Sequence, residues 1–539
     1  MSELSRIRKG RNHWKEEAKQ SKAEARYLRR ELKRAKKERD SAQQKVKEAE
    51  EQIRQRDAQA LQPVVQNKGD LVFWANQLFL VAHIGFRAIS RVFEVFADLL
   101  GIRKVPCPQT VINWVTRLSL VRIQSAGMLR GLPLSMAPFC NGLIWLIDTS
   151  IALGTGKILV VLALDASHYQ FVKAAPGFQD VRCIAVSVAS SWTGETVAEF
   201  LKRLISVMGR PAAYLKDGGS ELQKAIRLLA EQNLASPVID DISHRVANLL
   251  KQQYQEHPML QDFLSACGRV SSKLKQTILA CLAPPKVQTK ARFMNLHRLV
   301  TWADRLLKLS PVGGAKKGSV LSKLRACFDL LPDCKRFIKS FRDDAVPLLA
   351  CQQILKTQGL SLDTLAQCQP LIESIPTVTV RNDFIAYLQR QLETATTLGL
   401  EKVGLPICSD QIESLFGLAK QLGVGEIKDA SRIAIRIPAL CGTPTRAEAE
   451  QVLEISVAEQ QELTSRVTSL IKQRREVLQN PGRLENLGKQ SPTNIELIPG
   501  SKNRSKYQDI VYLSDSYNDR YGPTNEPPER PPCSEVLVL

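Results

Sequence analysis

The chain has 539 residues, too many for one compact core, so three or four structural units are expected. Its net charge of +21 calls for a polyanionic partner, nucleic acid before a membrane surface. A composition 44% hydrophobic and 24% charged is an ordinary soluble balance that can bury large cores. The twelve cysteines are scattered without a Cys-x-x-Cys pair, which supports neither a zinc site nor a disulfide frame and fits a reduced cytoplasmic protein. Leu71 to Gly85 is the most apolar stretch, and Asn76, Gln77 and His83 break it well short of a membrane span.

Residues 1–62 read as a basic coiled coil. Writing heptad a positions from Leu4 and d positions from Ile7 puts Leu4, Ile7, Trp14, Ala18, Ala25, Leu28, Leu32, Ala35, Ala42, Val46, Ala49 and Ile53 on the seam. The first 60 residues hold 19 Lys and Arg against 11 Asp and Glu. The segment therefore suits dimerisation, contact with a DNA backbone, or both; a solvated single helix is the plainer alternative. Residues 70–135 read as a helical region. Arg87 to Leu100 forms one amphipathic helix, Gly101 to Pro108 a turn, and Gln109 to Leu118 a second helix. This is either a helix-turn-helix reader, with Gln109, Thr110, Asn113 and Arg117 toward DNA, or plain helical scaffold.

The stretch 140–254 carries the strands. Leu143 to Asp148 is an apolar run ending on a carboxylate, and Lys157 to Asp165 and Val181 to Ala189 continue it as an antiparallel meander. Gly194 to Ile205 aligns Val197, Phe200, Leu201 and Leu204 on one helical face, a crossover that returns the chain to Ala212–Asp217. If that last strand lies parallel to the first, Asp148 and Asp217 share one end of the sheet, where ligands of open α/β sheets bind. Asp165 ends an antiparallel strand and belongs at the opposite edge. Ser220 with Gln223 reads as a capping box on the helix after Asp217.

Val238–Ile239 fits a short further strand, and Ser243 is a candidate cap for the helix behind it. His244, Asn248 and Lys251 then share a face toward the carboxylates, the alternative being that Asp240 and Asp241 are turn residues and His244 a surface residue. Residues 255–405 read as an all-α insertion, with Met294 to Leu309, Val320 to Leu331, Cys334 to Phe341 and Asn382 to Leu398 as helices. Residues 406–442 return to the core: Glu413 and Lys420 share a helix face, or Asp410 and Glu413 form only a cap pair. Ile433 to Leu440 should pack on the sheet. Thr445 to Gln479 reads as one long polar helix, within a segment bounded at 445–480, and 481–539 as a disordered tail.

Three carboxylates, two at adjacent strand ends and one on a later helix, can hold two Mg²⁺ ions, with Mn²⁺ as a substitute. With that arrangement the chain resembles the DDE transposases of bacterial insertion sequences, which have an RNase H-like catalytic fold. The resemblance covers about Leu143 to Leu440. The Asp241-x-x-His244 pair is similar to a motif after the second aspartate in several such transposases. Glu413 with Lys420 is similar to the end of a signature of one group, whose preceding tyrosine and arginine fall here on Pro406 and Ser409.

The resemblance implies an α/β RNase H-like mixed sheet interrupted by an all-α insertion. It implies Asp148, Asp217 and Glu413 as catalytic metal ligands, with Asp241, His244 and Lys420 accessory. It further implies Mg²⁺-dependent nicking at transposon ends and strand transfer by the 3′-hydroxyl, acting on transposon-end and target DNA as a homodimer or larger homo-oligomer in the bacterial cytoplasm. A transposase-derived DNA-binding protein without catalysis is the alternative, and a coiled-coil adaptor that binds nucleic acid through charge alone is a second.

Overall fold

The computed structural model describes residues 3–59, 65–150, 156–287, 292–308, 315–328, 330–422, 430–465, 467, 470–484, 495–500 and 511–513. They fall in two compact units, 1–70 with 92–105, and 71–91 with 106–539. The first unit is dominated by one helix, α1 (Glu3–Gln59). Lys, Arg, Glu and Ala fill it without a proline, which is why it runs unbroken. Trp14, Leu28, Leu32 and Val46 of the heptad seam lie exposed along it. In the same unit Gly101, at φ 72°, closes the turn Ala97–Leu100 in the left-handed conformation that glycine tolerates best.

The second unit is a mixed α/β structure. After residues 71–91 it continues through the helix α2 (Pro108–Ala126) and builds a sheet from β1 (Leu143–Thr149), β2 (Lys157–Asp165), β3 (Val181–Ala189), β4 (Ala213–Lys216), β5 (Val238–Asp240) and β6 (Glu496–Leu497). The order across the sheet is β5-β4-β1-β2-β3-β6. β1, β2 and β3 form the antiparallel meander, while β4 and β5 run parallel to β1. The parallel return follows from α3 (Gly194–Met208), which Thr193 and Thr196 cap reciprocally. Its buried Val197, Phe200, Leu201 and Leu204 join Trp145, Ile147, Val161 and Tyr214 in the core on one sheet face, together with Leu222 and Leu229 of α4 (Ser220–Glu231). Residues 151–155, between β1 and β2, lie outside the described residues.

β5 leads into α5 (Ile242–Tyr254), followed by the insertion helices α6 (Met259–Lys275), α7 (Arg292–Lys308), α8 (Lys335–Gln358) and α9 (Val378–Leu398). The chain then returns through α10 (Asp410–Gln421), which packs on β1. The turns Ala430–Ala434 and Pro438–Leu440 also pack on the meander, as the apolar run there predicts. The insertion docks on the sheet edge through polar contacts: Tyr387 of α9 donates to the Asp240 carbonyl at 2.8 Å, and Gln352 of α8 to Ser243 Oγ at 3.1 Å.

Several local expectations are corrected. Ser220 and Gln223 form no capping box, because Gly219 takes the cap position and Gln223 turns its amide to the Gly218 carbonyl at 3.3 Å. Asp241, not Ser243, caps α5, accepting from the His244 N–H at 2.8 Å. Ser409, not Asp410, stands at the cap of α10.

The polar stretch after Thr445 is three helices, Arg446–Glu454, Val457–Ser465 and Leu470–Gln479. Ser456 bonds Glu459 reciprocally and starts a new helix there. Within the supposed tail, β6 pairs antiparallel with β3, burying Ile495 and Leu497, and Val511–Tyr512 pairs parallel with Leu129–Arg130, burying Leu513. Those apolar residues gain a core that their own neighbourhood lacks. Residues 485–494, 501–510 and 514–539 lie outside the described residues.

Candidate active site

β4 and β1 pair in register from Ile144 with Ala213 to Ile147 with Lys216. One residue further the same register sets Asp148 level with Asp217, on neighbouring strands about 4.8 Å apart. Alternation puts both side chains on the face opposite Trp145, Ile147 and Tyr214. It puts Asp240 on the other side, where its carboxylate takes the buried Lys216 ammonium at 2.9 Å.

Burial, then the neighbouring Asp217, pushes the Asp148 carboxyl up to about 7; Glu413 adds to this, while the Thr149 N–H and His244 oppose it. Asp148 accepts that N–H at 2.6 Å. Asp217 folds back to accept from the Gly219 N–H at 2.9 Å, and a Cβ on Gly219 would stand 2.9 Å from the same oxygen. That is a physical reason for glycine at position 219.

α10 brings in the third carboxylate. Glu413 lies in its first turn, and Glu413 Oε1 meets His244 Nε2 at 3.1 Å. This bond is the main reason the imidazole is pushed up to about 9, against the opposing effect of burial, with Asp241 and Asp217 contributing. His244 is therefore a cation at neutral pH, set among three carboxylates.

Asp241 clamps the two helices that carry this pair. Its Oδ1 caps α5, and its Oδ2 accepts from Ser409 N–H at 2.6 Å and Ser409 Oγ at 2.9 Å. The start of α5 is thereby fixed to the start of α10, and with them His244 to Glu413.

A second acidic group lies close by. Among the described residues, Asp241, Cys408 and Asp410 are the one set of three possible ligands whose atoms all lie within 4.8 Å of one another. Its carboxylates already have donors. Asp410 accepts from Ser243 Oγ at 2.9 Å and from the Lys356 ammonium; burial alone would raise its carboxyl, but Lys356 holds it below the usual range. Burial lifts the Cys408 thiol well above its ordinary value, which leaves it a neutral, poor ligand.

Asp148, Asp217 and Glu413 are less tightly drawn, yet they offer only oxygen donors around a half-buried carboxyl that its acidic neighbours disfavour charging. That donor set fits a hard divalent cation.

Other sequence-predicted residues lie as follows. Lys420 is half-buried in the last turn of α10. Asn248 and Lys251 continue the His244 face of α5 into solvent. Asp165 pairs with Leu143 at the opposite end of β1, as antiparallel order requires, and accepts from the Ser167 and Leu132 N–H groups.

Gln109, Thr110 and Asn113 stand in the first turns of α2, with Gln109 donating to Asn113 at 3.0 Å; Arg117 lies a turn further on, bonded to Gln460 at 2.6 Å. α2 itself is largely buried, and Arg122 locks it with paired bonds of 2.8 and 2.9 Å to Glu448. Sequence reasoning missed Ser409 and Lys356, whose partners lie 168 and 54 residues away. Nothing in the local sequence around Lys356 marks that pairing.

No family model matches the sequence, and no curated protein matches it. Eight chains of solved structures do. One belongs to the Drosophila P element transposase strand transfer complex, 13% identical, covering 73% of this chain and 97% of that one with a TM-score of 0.39.

Proposed function

We propose that the chain is a DNA transposase of the DDE type, with Asp148, Asp217 and Glu413 as its Mg²⁺ ligands on an RNase H-like sheet. The observation that carries this reading is the parallel register that levels Asp148 with Asp217 under α10, with Glu413 and His244 joined beside them. Bound Mg²⁺ would polarise the scissile phosphate and activate the attacking hydroxyl. The protein's own part is to hold the three carboxylates on rigid elements, with Asp241 fixing α5 to α10. His244 supplies positive charge beside Glu413 until the cation arrives, and a proton to release when it does.

α1, with its exposed seam and basic surface, is assigned to pairing of copies and to DNA backbone contact. Gln109, Thr110 and Asn113 are assigned to DNA at the start of α2, within the segment read from sequence as helix-turn-helix.

The second reading, a transposase-derived DNA-binding protein without catalysis, draws support from one contact. Glu413 is engaged by a charged His244, as it would be in a site that had exchanged its metal for an internal cation. Cleavage of labelled DNA taken from the flanks of the coding sequence, with and without Mg²⁺, decides between them. The first reading expects Mg²⁺-dependent nicks that Asp148→Asn, Asp217→Asn and Glu413→Gln each abolish; binding without nicking by every form establishes the second.

A further inference from the structure

We infer that the groove along α5 holds a single DNA strand leaving the acidic site, its phosphates on Lys251 and Arg292 and a base against Phe293. The inference rests on the proposed reading of the acidic site and adds the path of its substrate.

The groove encloses about 370 Å³, and His244 is one of its lining residues. From there Asn248, Lys251 and Gln255 follow at the spacing of one helix face. At a rise of 1.5 Å per residue that row is about 16 Å long, room for four or five stacked nucleotides of one strand. Arg292 and Gln261 form the opposite side. Among the described residues no Asp or Glu lines the groove, and the nearest carboxylate contact is that of Glu413 on His244 at one end. Cations and amides without carboxylates are what a phosphate backbone requires, since a lining carboxylate would repel it.

The wall supplies the other half of strand recognition. Phe293 and Met294 line this groove and also a neighbouring cavity of about 480 Å³ that Glu413 lines. The His244–Glu413 contact stands where the two meet. An aromatic ring beside a cationic row is the combination that binds unpaired nucleotides, stacking the base and neutralising the phosphate. A duplex keeps its bases stacked inside and has no use for Phe293.

The test is anisotropy of the full chain with a labelled oligothymidine strand and, separately, a blunt duplex, over a series of salt concentrations. Lys251→Ala with Arg292→Ala should make the slope of log affinity against log salt shallower by about 1.4 for the strand, two phosphate contacts at ~0.7 each. The duplex slope should not change. Lys251→Arg with Arg292→Lys should restore the strand slope, since each keeps its charge. Phe293→Ala should weaken strand binding by about fivefold or more with the slope unchanged.

An unchanged strand slope in the double alanine variant, or an equal loss for the duplex, overturns the inference. If the wild type cuts with Mg²⁺ and the carboxylate variants do not, yet the double variant binds the strand normally, the groove is wrong and the acidic site stands. If the wild type never cuts but the double variant loses the strand, the groove stands and the cleavage reading falls.

Discussion

Two acidic groups lie beside each other at one end of this sheet, and they differ in what their oxygens already hold. Asp241 accepts three hydrogen bonds and Asp410 a hydroxyl and an ammonium, so Asp241, Cys408 and Asp410 are knitted into the protein. Among the described residues, Asp148 and Asp217 each accept one backbone N–H, and Glu413 bonds the imidazole of His244. Crowding of acids is therefore a poor guide to a metal site. The tighter cluster has its oxygens taken up by donors within the protein, and the looser one has fewer of them engaged among the described residues.

That contrast orders the expected effects. The largest is catalytic: Asp148→Asn should lower Mg²⁺-dependent cleavage by about 10³-fold or more, about 4 kcal/mol of transition-state stabilisation, with DNA binding retained. Asp241→Ala should act on the fold, lowering unfolding free energy by about 2–4 kcal/mol in denaturant titrations because it removes a helix cap and leaves the Ser409 donors unmet. Metal affinity of the folded fraction should survive it. Equal loss of metal binding in both variants would erase the distinction between the two groups.

pH sharpens the contrast. The folded Asp148 carboxyl stands at about 7, above its ordinary 3.8, so its favourable contribution to the metal-free protein is full below pH 3.8 and is lost as pH rises through about 7. Asp148→Asn should then stabilise the metal-free protein at alkaline pH, by on the order of a few kcal/mol, while destroying activity. Thermal melts on either side of neutrality check the sign. His244 behaves likewise: its contribution is present below the ordinary value of 6.5 and lost as pH rises through about 9. The smallest effect is spectroscopic. Glu413→Gln should move the His244 titration, followed by NMR, down toward its ordinary value, because the Glu413 bond is the main cause of the rise.

The parts of this architecture legible in the sequence are those with a local period. β1, β2 and β3 stand out as apolar runs, and α3 shows its face through Val197, Phe200, Leu201 and Leu204, which makes the parallel return of β4 foreseeable. The place of Asp165 at the far edge followed from strand direction alone.

What the sequence hid was set by distant partners. β6 is two residues long and pairs with a strand some 300 residues earlier, too short for any pattern. Gly219 and Asp241 took the caps from Ser220 and Ser243 because the turn after each strand, not the local serine, decides where the helix begins. α8 runs on past Phe341 through the buried Pro347 to Gln358, tertiary packing prevailing over the helix-breaking residue. For α2 the signal was available: Val111, Trp114, Val115, Leu118, Val121 and Ile123 surround the helix, a pattern of burial on several sides.

Asp148 and Asp217 are proposed to hold the divalent cation, and Asp241 and Asp410 to take no part in binding it. Calorimetric titration of the full chain with Mg²⁺ near neutral pH, repeated in buffers of different ionisation enthalpy, tests it most directly. The wild type should bind with release of protons, Asp148→Asn and Asp217→Asn should lose binding, and Asp241→Asn should bind as the wild type does. Binding abolished by Asp241→Asn but intact in Asp148→Asn would place the cation in the other cluster.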